Sequence, residues 1–107
     1  MKAIVRPTPQ LKGEINALSS KNYTTRYMLV AALSEGTSTV YYPAHSEDSD
    51  ALRRCIRDLG AKVEEDDEKI VITGFGRRPN PVCELNVGNA GTVLRLLMSV
   101  AAFCKEA

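Results

Sequence analysis

Surplus positive charge is missing from this sequence: 14 Lys and Arg stand against 13 Asp and Glu, a formal net charge of +1. A sequence-independent nucleic-acid binder needs excess basic groups to neutralise phosphates, so that class is excluded. Local clusters can still hold small anions. Histidine is nearly absent, and His45 has no histidine four residues away, which leaves a His-based metal site unsupported and His45 as a loop residue. Cysteine is sparse and odd in number. Cys55, Cys83 and Cys104 form neither a C-x-x-C pair nor an even disulfide framework, so reduced cytosolic thiols are expected. Cys55 and Cys104 fall within apolar helical patterns, as small core residues. Long apolar runs are lacking too. Met1 to Gln10 carries charge and two prolines rather than a secretory signal, and the stretch from Leu94 to Cys104 is interrupted by Arg95 and Ser99. Cytoplasmic residence without a membrane partner is the expectation.

What is present suits one ordinary domain: 107 residues, 44% hydrophobic and 25% charged. Leu11 to Ala17 alternates in the manner of a strand. Ser19-Ser20 then precedes a helical run, Asn22 to Leu33, in which Tyr23, Tyr27, Val30 and Ala31 share a spacing and Gly36 marks the stop. Thr37 to Tyr42 is rich in β-branched and aromatic residues and reads as a strand ended by Pro43. Ser46, Asp48 and Ser49 supply caps for a second helix with Leu52, Cys55, Ile56 and Leu59 buried and Gly60 at its end. Ala61 to Glu65 and Lys69 to Thr73 flank the solvated acidic turn Asp66-Asp67-Glu68 as a hairpin. Gly74 to Pro81 is a loop in which Arg77 and Arg78 are exposed. Val82 to Val87 alternates as another strand, and a third helix follows from Val93 to about Lys105. The order is β, α, β, α, β, β, then β, α. The last helix is apolar around most of its circumference, which points to a longer protein whose further residues cover it. A small complete α+β domain, its final helix docked on the hairpin sheet, is the other reading.

Two stretches have the chemistry of anion sites. Ser20-Lys21-Asn22-Tyr23-Thr24-Thr25-Arg26 places a helix start after a strand, and unpaired amides at a helix start attract negative charge. Lys21 adds a point charge, and Arg26 a planar fork suited to phosphate or carboxylate. Gly88-Asn89-Ala90-Gly91-Thr92, followed by Arg95, repeats that arrangement, with glycines that let a ligand approach the backbone and with Asn89 or Thr92 to cap the helix or bind the ligand. Each alone also fits a bland reading: a capped helix with two solvated cations, or a Gly-rich turn. The second is neither a Walker A loop nor a dinucleotide fingerprint, since the closing Gly-Lys-Ser/Thr and the third glycine are both missing. No serine sits in a nucleophile elbow. Two such stretches in one short chain suggest ligands bearing several negative groups.

Leu11-x-Gly13-x-Ile15-Asn16, Ser20-Lys21 and Arg26, then Asp48, Leu59-Gly60-Ala61 and Gly88-Asn89-Ala90-Gly91-Thr92 with Arg95, together resemble the opening of the 5-enolpyruvylshikimate-3-phosphate synthase family. The resemblance runs from Leu11 to Phe103. Two positions depart from it: Leu18-Ser19 stands where the family has Pro-Gly, and Asn22 where it has serine. Lys-Asn is the pattern of the sister UDP-N-acetylglucosamine enolpyruvyl transferases, which generally lack both the arginine and the Gly-Asn-Ala-Gly-Thr motif.

The resemblance implies an α/β fold, the inverse α/β barrel of enolpyruvyl transferases, with one βαβαββ unit to about residue 81 and the start of a second. Residues 1–18 would form a leading strand that pairs with a carboxy-terminal domain, and residues 19–107 part of the amino-terminal domain. The implied reaction belongs to the shikimate pathway of aromatic amino acid biosynthesis: transfer of the carboxyvinyl group of phosphoenolpyruvate to the 5-hydroxyl of shikimate 3-phosphate, with no metal or organic cofactor. Lys21 would touch both substrates near the reacting centre. Asn22 and Arg26 would hold shikimate 3-phosphate, while Asn89, Gly91 and Thr92 would face phosphoenolpyruvate, with Asp48 and Arg95 in support. The family's acidic proton-transfer residues and further arginines match nothing in these 107 residues, so the chain alone is expected to be inactive. The alternatives are the sister transferase and a non-catalytic anion-binding domain.

Overall fold

A computed structural model describes all of residues 1–107. In chain order it contains α1 (Lys21–Leu33), β1 (Thr37–Tyr41), α2 (Glu47–Asp58), β2 (Lys62–Glu65), β3 (Lys69–Thr73) and α3 (Gly91–Ala101). The second helix forms where its caps predict. Ser46 Oγ accepts the Ser49 amide at 3.3 Å and Ser49 Oγ accepts the Ser46 amide at 2.9 Å, so two otherwise orphaned donors are satisfied reciprocally. Leu52, Cys55, Ile56 and Leu59 are fully buried. Burying each of the larger three contributes about 1.5–3 kcal/mol. Gly60, at φ +110°, turns the chain out of the helix into β2.

The sheet has the order β1-β3-β2, with β3 antiparallel to both neighbours. The hairpin forms as expected. Asp66 Oδ1 accepts the amides of Glu68 and Lys69 at 2.8 and 2.9 Å, which fixes its turn. Val40, Ile70, Ile72 and Val63 occupy one face, by register. That face meets α1, which lies on β1 and β3, and α2, which lies on β2. The third helix packs chiefly against α2 and not on the sheet, burying Val93, Leu97 and Val100. No helix is long and apolar enough to cross a membrane.

Three expectations need correction. Leu11 to Ala17 forms no strand, because no second strand offers it ladder hydrogen bonds; Leu11, Ile15 and Leu18 are 90% exposed or more. Val82 to Val87 keeps its alternation, with Cys83, Leu85 and Val87 packed against the core, but its only pairing is a single parallel bridge from Val82 to Glu106. The spacing in α1 names no buried face; that face holds Thr24, Thr25, Met28, Leu29, Ala31 and Ala32, while Tyr23, Tyr27 and Val30 are exposed. Hydroxyls with local partners can be buried at little cost, and Thr25 Oγ1 bonds the Lys21 carbonyl at 3.1 Å. Last, α3 begins at Gly91 and ends at Ala101, so Cys104 lies beyond it and is only half-buried.

Candidate anion-binding site

The first helix start is built by a small polar network. Ser20 caps α1, its Oγ accepting the Tyr23 amide at 3.4 Å. Buried Thr24 accepts the Ala44 amide at 2.9 Å, and Ser49 donates to the Ala44 carbonyl at 2.7 Å. These bonds lash the start of α1 to the start of α2. Lys21 and Asp48 are brought together as a result, Nζ to Oδ2 at 3.3 Å, and the Lys21 side chain remains 45% exposed. Asn22 and Arg26 are exposed beside it. Arg26 Nη1 donates to the Asn22 carbonyl at 3.0 Å, so the guanidinium folds back over the first turn.

The second helix start is barer. Its cap position is Ala90, and no side chain caps it, contrary to the capping role open to Asn89 or Thr92. The amides of Gly91, Thr92 and Val93 precede the first intrahelical bond, from Leu94 to the Ala90 carbonyl at 3.0 Å. Gly88 sits at φ +54°, a left-handed conformation in which glycine is unstrained, and its amide donates to Asn86 Oδ1 at 3.0 Å. Arg95 lies over Gly91: its Nη1 is 3.1 Å from where a Cβ would stand. Asn89 and Gly91 are exposed and Thr92 half-buried.

Charge distinguishes the three helix starts. The first turn of α2 carries Glu47, Asp48 and Asp50, whose carboxylates already answer its positive end. Neither α1 nor α3 has an acidic residue in its first turn. Those two starts have basic neighbours and no first-turn carboxylate of their own, and α3 also lacks the side-chain cap that Ser20 gives α1.

The two turns are not joined by any hydrogen bond or ion pair. Both touch α2, one at Asp48 and the other beside Arg54, whose Nη2 lies 4.0 Å from the Cβ position of Gly88. Six residues separate these points on α2, about 9 Å along the axis and about 120° around it. The turns therefore flank one helix without meeting. Arg54 is a cation that the sequence pattern did not single out, since it reads there as one more polar residue of an amphipathic helix. Cys55 beside it is structural: its Sγ lies 3.5 Å from the Asn86 carbonyl, and burial, then the charge of Asp58, pushes its thiol pKa up. A largely apolar cavity of about 440 Å³ between Leu33, Phe75, Pro79, Val100 and Phe103, with Arg77 also in its lining, lies at the opposite ends of α1 and α3.

Comparison with known proteins agrees on one family. The family model for EPSP synthase (3-phosphoshikimate 1-carboxyvinyltransferase) matches residues 5–107. A 3-phosphoshikimate 1-carboxyvinyltransferase of Deinococcus radiodurans is 56% identical over 99 residues, covering 92% of this chain and 23% of its own length. The enzyme of that name from Acetivibrio thermocellus is 41% identical over 91 residues, covering 84% of this chain and 22% of its own. Among solved structures, EPSP synthase from Acinetobacter baumannii superposes with a TM-score of 0.72 at 31% identity, covering 79% of this chain and 20% of that one. The chain thus spans between a fifth and a quarter of the length of these relatives, and it shares their α/β fold.

Proposed function

The chain belongs to the EPSP synthase family, and from that premise we propose that it forms part of the anion site of an enzyme that transfers the carboxyvinyl group of phosphoenolpyruvate to the 5-hydroxyl of shikimate 3-phosphate. The observation that carries this reading is the charge contrast among helix starts: α1 and α3 have no acidic residue in their first turns and lie beside Lys21, Arg26 and Arg95, while α2 is answered by its own carboxylates.

In this reading Asn22 and Arg26 hold the phosphate of shikimate 3-phosphate at the start of α1. The Asn22 amide replaces a hydroxyl as donor. Asn89, Gly91 and Thr92 set phosphoenolpyruvate against the bare start of α3, and Arg95 fixes that start from above. Lys21 serves both substrates. Protonation of the enol carbon makes C2 electrophilic, the 5-hydroxyl adds there as it loses its proton, and phosphate then leaves the tetrahedral intermediate as the new methyl group gives up a proton and the double bond re-forms. Charge moves toward the departing phosphate, where a fixed ammonium stabilises the transition state more than the ground state. Asp48 holds Lys21 in place for that role. Residues 1–18 pair with, and the two flanking turns are closed by, further sequence of the same enzyme, which also supplies the proton-transfer groups.

Asn22 gives the sister reaction a specific foothold, because Lys-Asn is the pattern of the UDP-N-acetylglucosamine enolpyruvyl transferases. Calorimetric titration of the full-length enzyme separates the two. Shikimate 3-phosphate is expected to bind and UDP-N-acetylglucosamine to give no heat; the reverse result overturns the assignment.

A further inference from the structure

Cys83 and Cys104, 21 residues apart in the chain, hold their sulfurs 3.8 Å apart. The backbone keeps the two segments side by side. The Cys83 amide donates to the Glu106 carbonyl at 3.1 Å, and the Glu106 amide donates to the Pro81 carbonyl at 2.9 Å. Both thiols are half-buried at the rim of the core, within reach of small reagents. An S–H group is a weak donor, so the contact itself adds little to folding. The stretch that these residues bracket contains the Gly88–Thr92 turn and α3.

We infer that Cys83 and Cys104 form a reversible disulfide site, closed by exchange with a small disulfide of the glutathione type, which ties the end of α3 to the Val82–Val87 segment and restrains the Gly88–Thr92 turn. The inference rests on the paired sulfurs and is independent of the catalytic reading. A thiolate of the pair, its proton lost to water, attacks one sulfur of the small disulfide and expels a small thiolate. The second thiolate then attacks the protein sulfur of the mixed disulfide and expels the other small thiolate. Two protein thiols are oxidised, one small disulfide is reduced to two thiols, and the released protons return to them. A disulfide needs about 2.05 Å between sulfurs, so the pair must close by less than ~2 Å, within reach of side-chain rotation. Partial burial and the Cys104 thiol hold the Cys83 pKa up, so exchange quickens as pH rises. Cys55, fully buried under α2, stays out of it.

The test is to incubate the reduced protein with oxidised glutathione and map the product. Cleavage after Arg77, Arg95 and Lys105 puts the two cysteines on separate peptides. The expected result is loss of two hydrogens from the intact mass, the Cys83 and Cys104 peptides linked, Cys55 free, and reversal by dithiothreitol. Cys55→Ser should still close the bridge, and Cys83→Ser should stop at one glutathione on Cys104. Amide exchange in α3 should slow several-fold on oxidation while that in α2 stays unchanged. Separate glutathione on each cysteine, a link to Cys55, a link between chains, or equal exchange in both redox forms would overturn the inference.

Discussion

Single residues in this chain divide into those whose chemistry is local and those whose role needs tertiary structure. Asp66 is local. The amides of Glu68, then Lys69, hold its carboxylate below the usual range. A lowered folded pKa means that the stabilisation is complete above the unfolded value and is lost as pH falls through the folded one. Melting temperature should therefore drop as the pH falls from about 5 through the ordinary Asp range near ~3.9. Asp66→Ala should melt lower at neutral pH and lose less on acidification; matching pH profiles for the two proteins would contradict that assignment. The acidic run was legible as a turn because like charges avoid packed sites, and the structure adds the hydrogen bonds that fix it. Lys21 is the other kind. Its place at a helix start could be read from Ser20 before it, but its pairing with Asp48 depends on Thr24 and Ser49 meeting at Ala44, which no spacing along the chain reveals.

At the scale of elements, legibility followed the strength of the local signals. In α2 the capping serines, the buried stripe and the terminal glycine all agree, and the helix forms where they predict. The signals in α1 conflict: both flanks carry apolar residues, so the spacing of Tyr23, Tyr27, Val30 and Ala31 marks a helix without marking its core face, and the burial of Thr24 and Thr25 depends on backbone partners. Met28→Ala should thus cost about 2–5 kcal/mol, whereas Val30→Ala should fall within about ±0.5 kcal/mol, as a surface change does. Urea denaturation of both variants checks this, and equal losses would place Val30 in the core. The two strands that failed to form share a cause. Alternation shows which residues share a face, but a strand also needs a neighbour's backbone, and Leu11–Ala17 has none here while Val82–Val87 has a single bridge.

On the scale of the whole molecule, α2 organises everything: α1, the sheet and α3 all pack against it, and both candidate turns lie along its flanks. The fold class and the two turns were legible because glycines, caps and cations mark them in sequence. Their arrangement around α2 was not, being a product of packing. Because the turns flank α2 without meeting, the 107 residues alone should release no phosphate from phosphoenolpyruvate and shikimate 3-phosphate above background, and clear steady-state turnover would show that the site is already closed. Lys21 offers the sharpest test of the proposed chemistry. Phosphate release by the full-length enzyme should fall on the order of 10²-fold or more in kcat/KM for Lys21→Met, the scale of losing one charged transition-state contact. Unchanged kcat/KM in that variant would contradict the account at its centre.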